Sequence, residues 1–208
     1  QSWFVDYDPV RAKVDGRQPA GMDAATAALI PAGFRESEVG HVPDGWTVGR
    51  LGDVTTNPRR SVPAGQIAAG TAYIALEHMP RRSVALGTWE VSADVASGKS
   101  AFKKGEILFG KLRPYFHKVG VAPVDGVCST DILVVSPASR EWFSFALGHL
   151  SSDEIIQFTD QASTGTKMPR TSWRDVASFT VAVPPIDLAA AFDAAARPMF
   201  DRIVANVH

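Results

Sequence analysis

Residues 103 to 118 read Lys-Lys-Gly-Glu-Ile-Leu-Phe-Gly-Lys-Leu-Arg-Pro-Tyr-Phe-His-Lys, and this stretch joins an apolar segment directly to a cationic, aromatic one. The apolar part is Ile107-Leu108-Phe109, which is flanked by Gly105 and Gly110. A run this short between two glycines favours a buried strand over a helix. The sequence therefore predicts that a sheet core forms around this strand.

The cationic part begins beyond Gly110, where Lys111 and Arg113 lie two residues apart and Pro114 blocks further pairing inside a sheet. Side chains at this spacing point to the same side of an extended chain, so two cations should project together from the strand end. This arrangement suggests a surface that reads DNA. A solvated basic turn is the alternative that the stretch alone leaves open.

The distribution of charge along the chain favours the DNA interpretation. The 208 residues have a net charge of −1, but residues 1–45 have a net charge of −3, residues 46–120 of +6 and residues 121–208 of −4. A protein that binds polyanions in bulk would be basic overall. A module with one basic face, which docks elsewhere through neutral or acidic surfaces, shows this kind of segregation.

Length and composition are those of an ordinary globular protein of about one or two domains. The single cysteine, Cys128, excludes an internal disulfide and a Cys-rich zinc cluster, and its place at the start of an apolar run predicts a buried, inert thiol. No secretory leader and no apolar run near the roughly 18 residues that cross a bilayer is present, so we expect a cytoplasmic protein without membrane contact. Because the chain begins with Gln1 and its last helical pattern stops abruptly at His208, we expect it to be part of a longer polypeptide.

Three segments follow from the residue pattern. Residues 1–45 are rich in Asp, Pro, Gly and Ala with few apolar anchors, which predicts an extended connector over a partner surface. Residues 46–186 alternate short strands with capped helices, which predicts an α+β domain with a twisted, mostly antiparallel sheet and short helices. Residues 187–208 form an Ala-rich helical pattern that should kink or restart after Arg197, because Pro198 lies inside it.

The elements of the middle segment are marked by turn residues and caps. The strand candidates are residues 73–76, 89–91, 107–109, 119–122, 132–135 and 179–183. Helical spacing appears over residues 141–150, and two cap-like motifs, Ser151-Ser-Asp-Glu154 and Ser172-Trp-Arg-Asp175, predict two further helix starts.

A catalytic site would need a nucleophile with a base, a metal set or a phosphate cradle, and the sequence offers only fragments of these. His78 beside Glu77 has nothing at i+4 to complete a metal site. Lys167 ends a Gly-Thr-Lys triplet that lacks the earlier glycine of a phosphate-binding loop. Asn57-Pro58 matches only the first half of a DNA methyltransferase box. We therefore expect a non-catalytic protein.

Polar contacts to DNA are predicted instead in four loops, over residues 55–60, 78–82, 111–118 and 165–170. Arginine suits bidentate contact with guanine and phosphate, lysine suits phosphate, and tyrosine suits sugar or base edges. For any one arginine, a solvated surface charge is the alternative. The candidate DNA-binding residues are Arg59, Arg60, His78, Arg81, Arg82, Lys111, Arg113, Tyr115, Lys118, Thr166, Lys167 and Arg170.

Along nearly its whole length the chain resembles the specificity subunit of type I restriction–modification enzymes. Ser2-Trp-Phe-Val-Asp-Tyr-Asp-Pro-Val-Arg-Ala-Lys13 resembles the segment after the family's central conserved helix, and Ser37-Glu-Val-Gly-His-Val-Pro-Asp-Gly-Trp46 resembles the entry to a target recognition domain. The motifs that follow in the family's order are Tyr73-Ile-Ala-Leu-Glu-His78, Phe102-Lys-Lys-Gly-Glu-Ile-Leu-Phe-Gly-Lys-Leu-Arg-Pro-Tyr115, Cys128-Ser-Thr-Asp131, Gly165-Thr-Lys-Met-Pro169 and Val183-Pro-Pro185. One departure is Leu188-Ala189, where the family commonly has Glu-Gln.

The resemblance implies a target recognition domain over residues 46–186 that reads one half of a bipartite site in double-stranded DNA. Residues 1–45 would follow a conserved spacer helix, and residues 187–208 would begin another spacer and dimerisation helix. The implied partners are modification (methyltransferase) subunits, ATP-dependent restriction subunits and a second recognition half. S-adenosylmethionine, ATP and magnesium would be bound by the partner subunits, whose DNA methylation and cleavage serve defence against phage.

The resemblance also implies different roles for different candidate residues. Lys111, Arg113, Lys118, Lys167 and Arg170 would hold phosphates or base edges, while residues 55–60 and 78–87 would choose the sequence. Two alternatives stay open: a recognition domain of a single-chain restriction–methylation enzyme, and a protein-interaction module that does not bind DNA.

Overall fold

The computed structural model describes residues 2–91, 97–163 and 167–206, in which short strands and helices follow one another in mixed order. The α-helices are α1 (Asp8–Val14), α2 (Ala24–Leu29), α3 (Leu51–Val54), α4 (Phe143–Leu150), α5 (Asp153–Gln161), α6 (Trp173–Ser178) and α7 (Ile186–Ala205). The strands are β1 (Phe34–Ser37), β2 (Gly40–Pro43), β3 (Thr47–Arg50), β4 (Thr55–Thr56), β5 (Ser61–Val62), β6 (Ala72–Ile74), β7 (Glu90–Val91), β8 (Lys99–Phe102), β9 (Ile107–Gly110), β10 (Val119–Val121), β11 (Gly126–Cys128), β12 (Ile132–Pro137) and β13 (Thr180–Val183). Single 3-10 turns lie at Ala64–Gln66, Leu76–His78, Pro114–Phe116 and Arg140–Trp142.

Within the described ranges the strands form two larger sheets and two antiparallel pairs. One larger sheet has the order β10-β9-β12-β4 and is antiparallel throughout. The other has the order β5-β8-β11-β6-β7, and its β11–β6 pair is parallel while its other pairs are antiparallel. The remaining pairs are β1 with β2 and β3 with β13. The predicted α+β class with mostly antiparallel strands is confirmed.

Strand β9 is buried on both faces, which explains its continuous apolar sequence. Ile107 and Phe109 belong to a cluster with side chains of the helices, which we call the helical core and which includes Phe4, Trp46, Phe145 and Leu188. Leu108 points the other way into a second cluster, the sheet core, which includes Ile74, Phe102 and Cys128. Because alternate side chains of a strand face opposite sides, a strand between two cores needs apolar residues at every position.

The N-terminal segment folds onto the helical core and does not run as an extended connector. It contains α1, α2 and the β1–β2 hairpin, and Phe4, Val10, Ile30 and Val42 are buried in the helical core. The ring of Phe4 lies 4.7 Å from that of Phe192 and 5.0 Å from that of Phe145, measured between centroids. Sequence periodicity missed these helices because they span only seven and six residues.

The predicted helix starts are close to those observed. The Ser152 side chain accepts a hydrogen bond from the Ile155 backbone, so the cap of α5 lies one residue into the predicted motif. Ser172 and Asp175 form the predicted capping box of α6. Helix α7 continues through Pro198 and does not restart after Arg197.

Two further expectations concern burial and membranes. Cys128 has no solvent exposure, and burial raises its pKa to about 12, so its thiol stays protonated at neutral pH. No helix in the described ranges is both long enough and apolar enough to cross a bilayer.

Candidate nucleic-acid interface

The connection from β9 to β10 is held in a defined shape by residues 169–171. The Lys111 backbone donates to Asp131 O at 2.9 Å, and the Arg113 backbone donates to Pro169 O at 2.8 Å. Thr171 in turn donates its backbone N–H to Lys111 O at 3.0 Å. Residues 169–170 of one predicted loop therefore lie beside residues 111–113 of another.

A tight 3-10 turn over Pro114–Phe116 forms the tip of this connection. Arg113 and His117 flank the turn with φ angles of 52° and 51°, in the left-handed region that non-glycine residues rarely adopt. Such residues persist only where the surrounding structure enforces their conformation. The turn is therefore held by its neighbours and is not a pliable surface loop.

The loop at residues 78–82 packs against the same turn. The Arg82 backbone donates to His117 O at 2.9 Å, and the Arg81 guanidinium carbon lies 4.1 Å from the centre of the Phe116 ring. The Tyr115 ring lies 4.8 Å from the Phe116 ring, and Tyr115 is half exposed. Aromatic and cationic side chains thus alternate over this part of the surface.

The loop at residues 55–60 meets Lys111 across a cleft of about 340 Å³. The polar and aromatic residues that line the cleft include Asn57, Arg59, Arg60, Lys111, Thr130, Thr171, Ser172 and Trp173, and no acidic residue lines it in the described part of the chain. Lys111 therefore adjoins both the 55–60 loop and the 169–171 segment. The described parts of the other three predicted loops therefore adjoin residues 111–118.

Arg60 is neutralised by the fold. Its two Nη atoms lie 2.7 and 2.8 Å from the carboxylate oxygens of Glu106, which also accepts hydrogen bonds from the Ser136 hydroxyl and the Lys103 backbone. Burial opposes ionisation of Glu106, but the hydrogen bonds from Arg60, Ser136 and Lys103 outweigh it and lower the pKa of this carboxyl. Glu106 follows the Lys103–Gly105 turn into β9, so this pair ties the 55–60 loop to the core strand.

Four other candidates also have partners within the chain. Arg82 forms an ion pair with Asp153 at 2.8 Å, and Arg170 forms one with Asp131 at 3.0 Å. Lys118 donates its ammonium group to Leu76 O, and burial, with a smaller contribution from nearby Arg81, lowers its pKa. His78 accepts the Ala75 backbone N–H at Nδ1 over 2.9 Å. These contacts hold the loops in place.

The remaining candidate cations have no acidic or hydrogen-bonding partner in the described part of the chain. The side chains of Arg59, Arg81, Lys111, Arg113 and Lys167 make no hydrogen bond or ion pair within residues 2–91, 97–163 and 167–206. Thr166 lies outside the described residues. The structure thus separates the predicted residues into a group that shapes the loops and a group that presents free positive charge.

Sequence reasoning missed three residues of this region. Phe116 supports two arginines, yet its sequence neighbours indicate only a cationic stretch. Trp173 lines the cleft, whereas its sequence pattern indicates only a helix cap. Glu106 lies within residues 103–118, where a single acid among several cations could have indicated an ion pair with an arginine.

The chain is similar to known proteins in sequence and in fold. The chain is 26% identical over 155 residues to the type I restriction enzyme EcoDI specificity subunit of Escherichia coli, covering 74% of this chain. The resemblance to a type I specificity subunit is thereby confirmed. The fold of this chain is similar to that of the HsdS subunit from Thermoanaerobacter tengcongensis. The TM-score is 0.61 and the identity 23%, and the match covers 78% of this chain and 44% of that chain.

A second solved structure, from a study of complex assembly and conformational transition of the type I restriction–modification system, has a TM-score of 0.64 and 21% identity, and the match covers 77% of this chain and 43% of that chain. No family model matches the chain. The match spans about a third of the EcoDI specificity subunit's own length, at 34%.

Proposed function

We propose that this chain recognises one half of a bipartite site in double-stranded DNA, as a recognition domain of a type I specificity subunit. The observation that carries the proposal is the convergence of four loops on one region with five cations that the fold leaves unneutralised. A fold that needed these charges only for stability would pair them, as it does for Arg60, Arg82 and Arg170.

The free cations and the cleft suit a DNA backbone and its groove edges. Arg59 and Lys111 line the cleft together, and the exposed Thr130 supplies a hydroxyl group that can bond a phosphate oxygen. Backbone contacts of this kind position a protein on the duplex, while base contacts specify the site. We assign Arg59 and Lys111 to the backbone contacts.

Catalysis in this proposal belongs to other subunits. The chain would direct methyltransferase subunits, which use S-adenosylmethionine, and restriction subunits, which use ATP and magnesium. Within the described residues, no group of three His, Cys, Asp or Glu side chains is placed to hold a metal ion. The chain's own contribution would be binding and orientation of the duplex.

A titration of duplex DNA at several salt concentrations tests the proposal. The double variant Arg59→Ala/Lys111→Ala should bind duplex more weakly than wild type, and the slope of log K against log salt should fall by about 1 to 2, because each lost phosphate contact releases one counterion fewer. Lys104→Ala is the matched control, since this exposed lysine lies at the opposite end of β9. A wild-type chain that binds duplex no better than a neutral protein would favour the protein-interaction alternative.

A further inference from the structure

Two arginines from different loops share one aromatic support in this region. The guanidinium carbon of Arg81 lies 4.1 Å from the centre of the Phe116 ring, and that of Arg113 lies 5.8 Å from it. Both distances are within the range of a cation–π contact, which orients a guanidinium without using its N–H donors. An arginine held by a carboxylate, such as Arg60, has those donors occupied.

Arg113 is also positioned by its backbone. Its φ angle is 52°, its N–H is bonded to Pro169 O, and Pro114 follows at once, so the direction in which its side chain leaves the chain is set. The Nε atom of Arg113 is buried without a hydrogen-bond partner among the described residues. Because this atom has no access to solvent, a ligand could be contacted only by the terminal Nη groups of Arg113.

The chemistry of a fixed, unneutralised guanidinium fork favours a base over a phosphate. A flexible lysine contacts phosphate adequately as a point charge, whereas the planar fork of arginine matches the O6 and N7 acceptors of guanine in the major groove. Fixing the fork before binding reduces the rotamer entropy lost on contact. Free Arg59 has no such aromatic contact in the described structure, so it lacks this preorganisation.

We infer that Arg113 and Arg81, supported by Phe116, are specificity-determining residues that read guanine in the recognised half-site. The inference rests on the proposed function and deepens it. Sequence choice would then lie partly in the 111–118 loop, in addition to the two stretches expected to choose the sequence, residues 55–60 and 78–87.

Selection of bound duplexes from a randomised pool tests the inference with the 208-residue chain. Wild type should enrich a motif with guanine at fixed positions. Arg113→Lys and Arg81→Lys should each lose roughly 10- to 100-fold of the preference for guanine over other bases at one position, because lysine keeps the charge but not the fork. Phe116→Leu should weaken the preference at both positions. In all three variants, binding to random duplex and its salt dependence should stay near wild type.

Arg17→Lys is the matched control and should leave the enriched motif unchanged, because this exposed arginine lies outside the four candidate loops. Retained binding to random duplex shows that each variant is folded, so an effect on the motif alone is a loss of base reading. The inference is overturned if the three variants enrich the wild-type motif with the same guanine preference, or if the wild-type motif has no fixed guanine. A wild-type chain that binds no duplex at all would instead contradict the proposed function, and with it this inference.

Discussion

Adjacent arginines at positions 59 and 60 have different roles because of one carboxylate. Arg60 is held by both oxygens of Glu106, while Arg59 is exposed and has no side-chain partner in the described ranges. The Arg60–Glu106 pair is partly buried, with the carboxylate side chain 11% exposed, so breaking it leaves a charge with poor access to water. An arginine next to a free cation can thus be a structural residue.

We expect the stability conferred by Glu106 to depend on pH. Because the pKa of this carboxyl is lowered in the folded protein, its contribution is complete above the unfolded value of about 4.3 and is lost as the pH falls through the folded value. Glu106→Gln should lower the free energy of unfolding by about 1–3 kcal/mol at pH 7, and this difference should shrink below about pH 4. Urea unfolding between pH 7 and pH 3 measures both quantities.

Glu77→Gln is a suitable control, because Glu77 is exposed and makes no hydrogen bond or ion pair in the described structure. Its effect on stability should stay within about 0.5 kcal/mol at every pH. The difference in free energy of unfolding between wild type and Glu106→Gln could instead stay constant down to pH 3. That result would show that the contacts with Arg60, Ser136 and Lys103 do not lower the pKa of the Glu106 carboxyl.

At the level of elements, two glycines differ in how much space surrounds the position where a side chain would begin. Gly126 begins β11, the middle strand of the five-stranded sheet, and a Cβ there would lie 2.5 Å from Ala72 O and 2.8 Å from Cζ of Phe102. Gly148 lies in α4, and a Cβ there would meet no heavy atom within 4 Å. The same substitution should therefore have opposite effects in the two elements.

Gly126→Ala should lower the free energy of unfolding by about 1–3 kcal/mol, because the new methyl group collides with backbone that pairing holds in place. Gly148→Ala should raise it by about 0.5–1 kcal/mol, since alanine restricts the unfolded chain and fits the helix without contact. Urea unfolding of the two variants beside wild type tests this. Equal changes in both would mean that β11 can shift away from Ala72 and Phe102.

At the level of the whole molecule, the N-terminal segment and the helices share one core. Phe4 contacts Trp46, Phe145 and Phe192, which come from three separate parts of the chain. A segment that contributes such a side chain cannot detach without opening the helical core. We therefore expect residues 2–43 to unfold together with the elements that follow them.

Phe4→Ala should lower the free energy of unfolding by about 3–5 kcal/mol, because it leaves a cavity in the helical core. Far-UV circular dichroism and tryptophan fluorescence should report one shared transition for wild type and variant. Val14→Ala, at a side chain that is 53% exposed, should change the stability by less than about 0.5 kcal/mol. An early, separate transition that accounts for the whole effect of Phe4→Ala would show that the segment unfolds independently.

The sequence by itself determined the α+β class, the β9 strand, the capping box of α6 and the resemblance to type I specificity subunits. These depend on local signals: an apolar run between glycines, a serine three residues before an aspartate, and motifs in a fixed order. Short helices such as α1 and α2 give too little periodicity to be predicted. The segregation of charge also placed most of the candidate DNA-binding residues within residues 46–120.

Only the tertiary structure decided which cations are free. Arg59 and Arg60 are chemically identical in the sequence, and what separates them is Glu106, 46 residues after Arg60. The support of Arg81 and Arg113 by Phe116 likewise joins two loops that are apart in the chain. Neutralisation and preorganisation depend on distances between side chains from different elements, and these are set by packing of the two cores against β9.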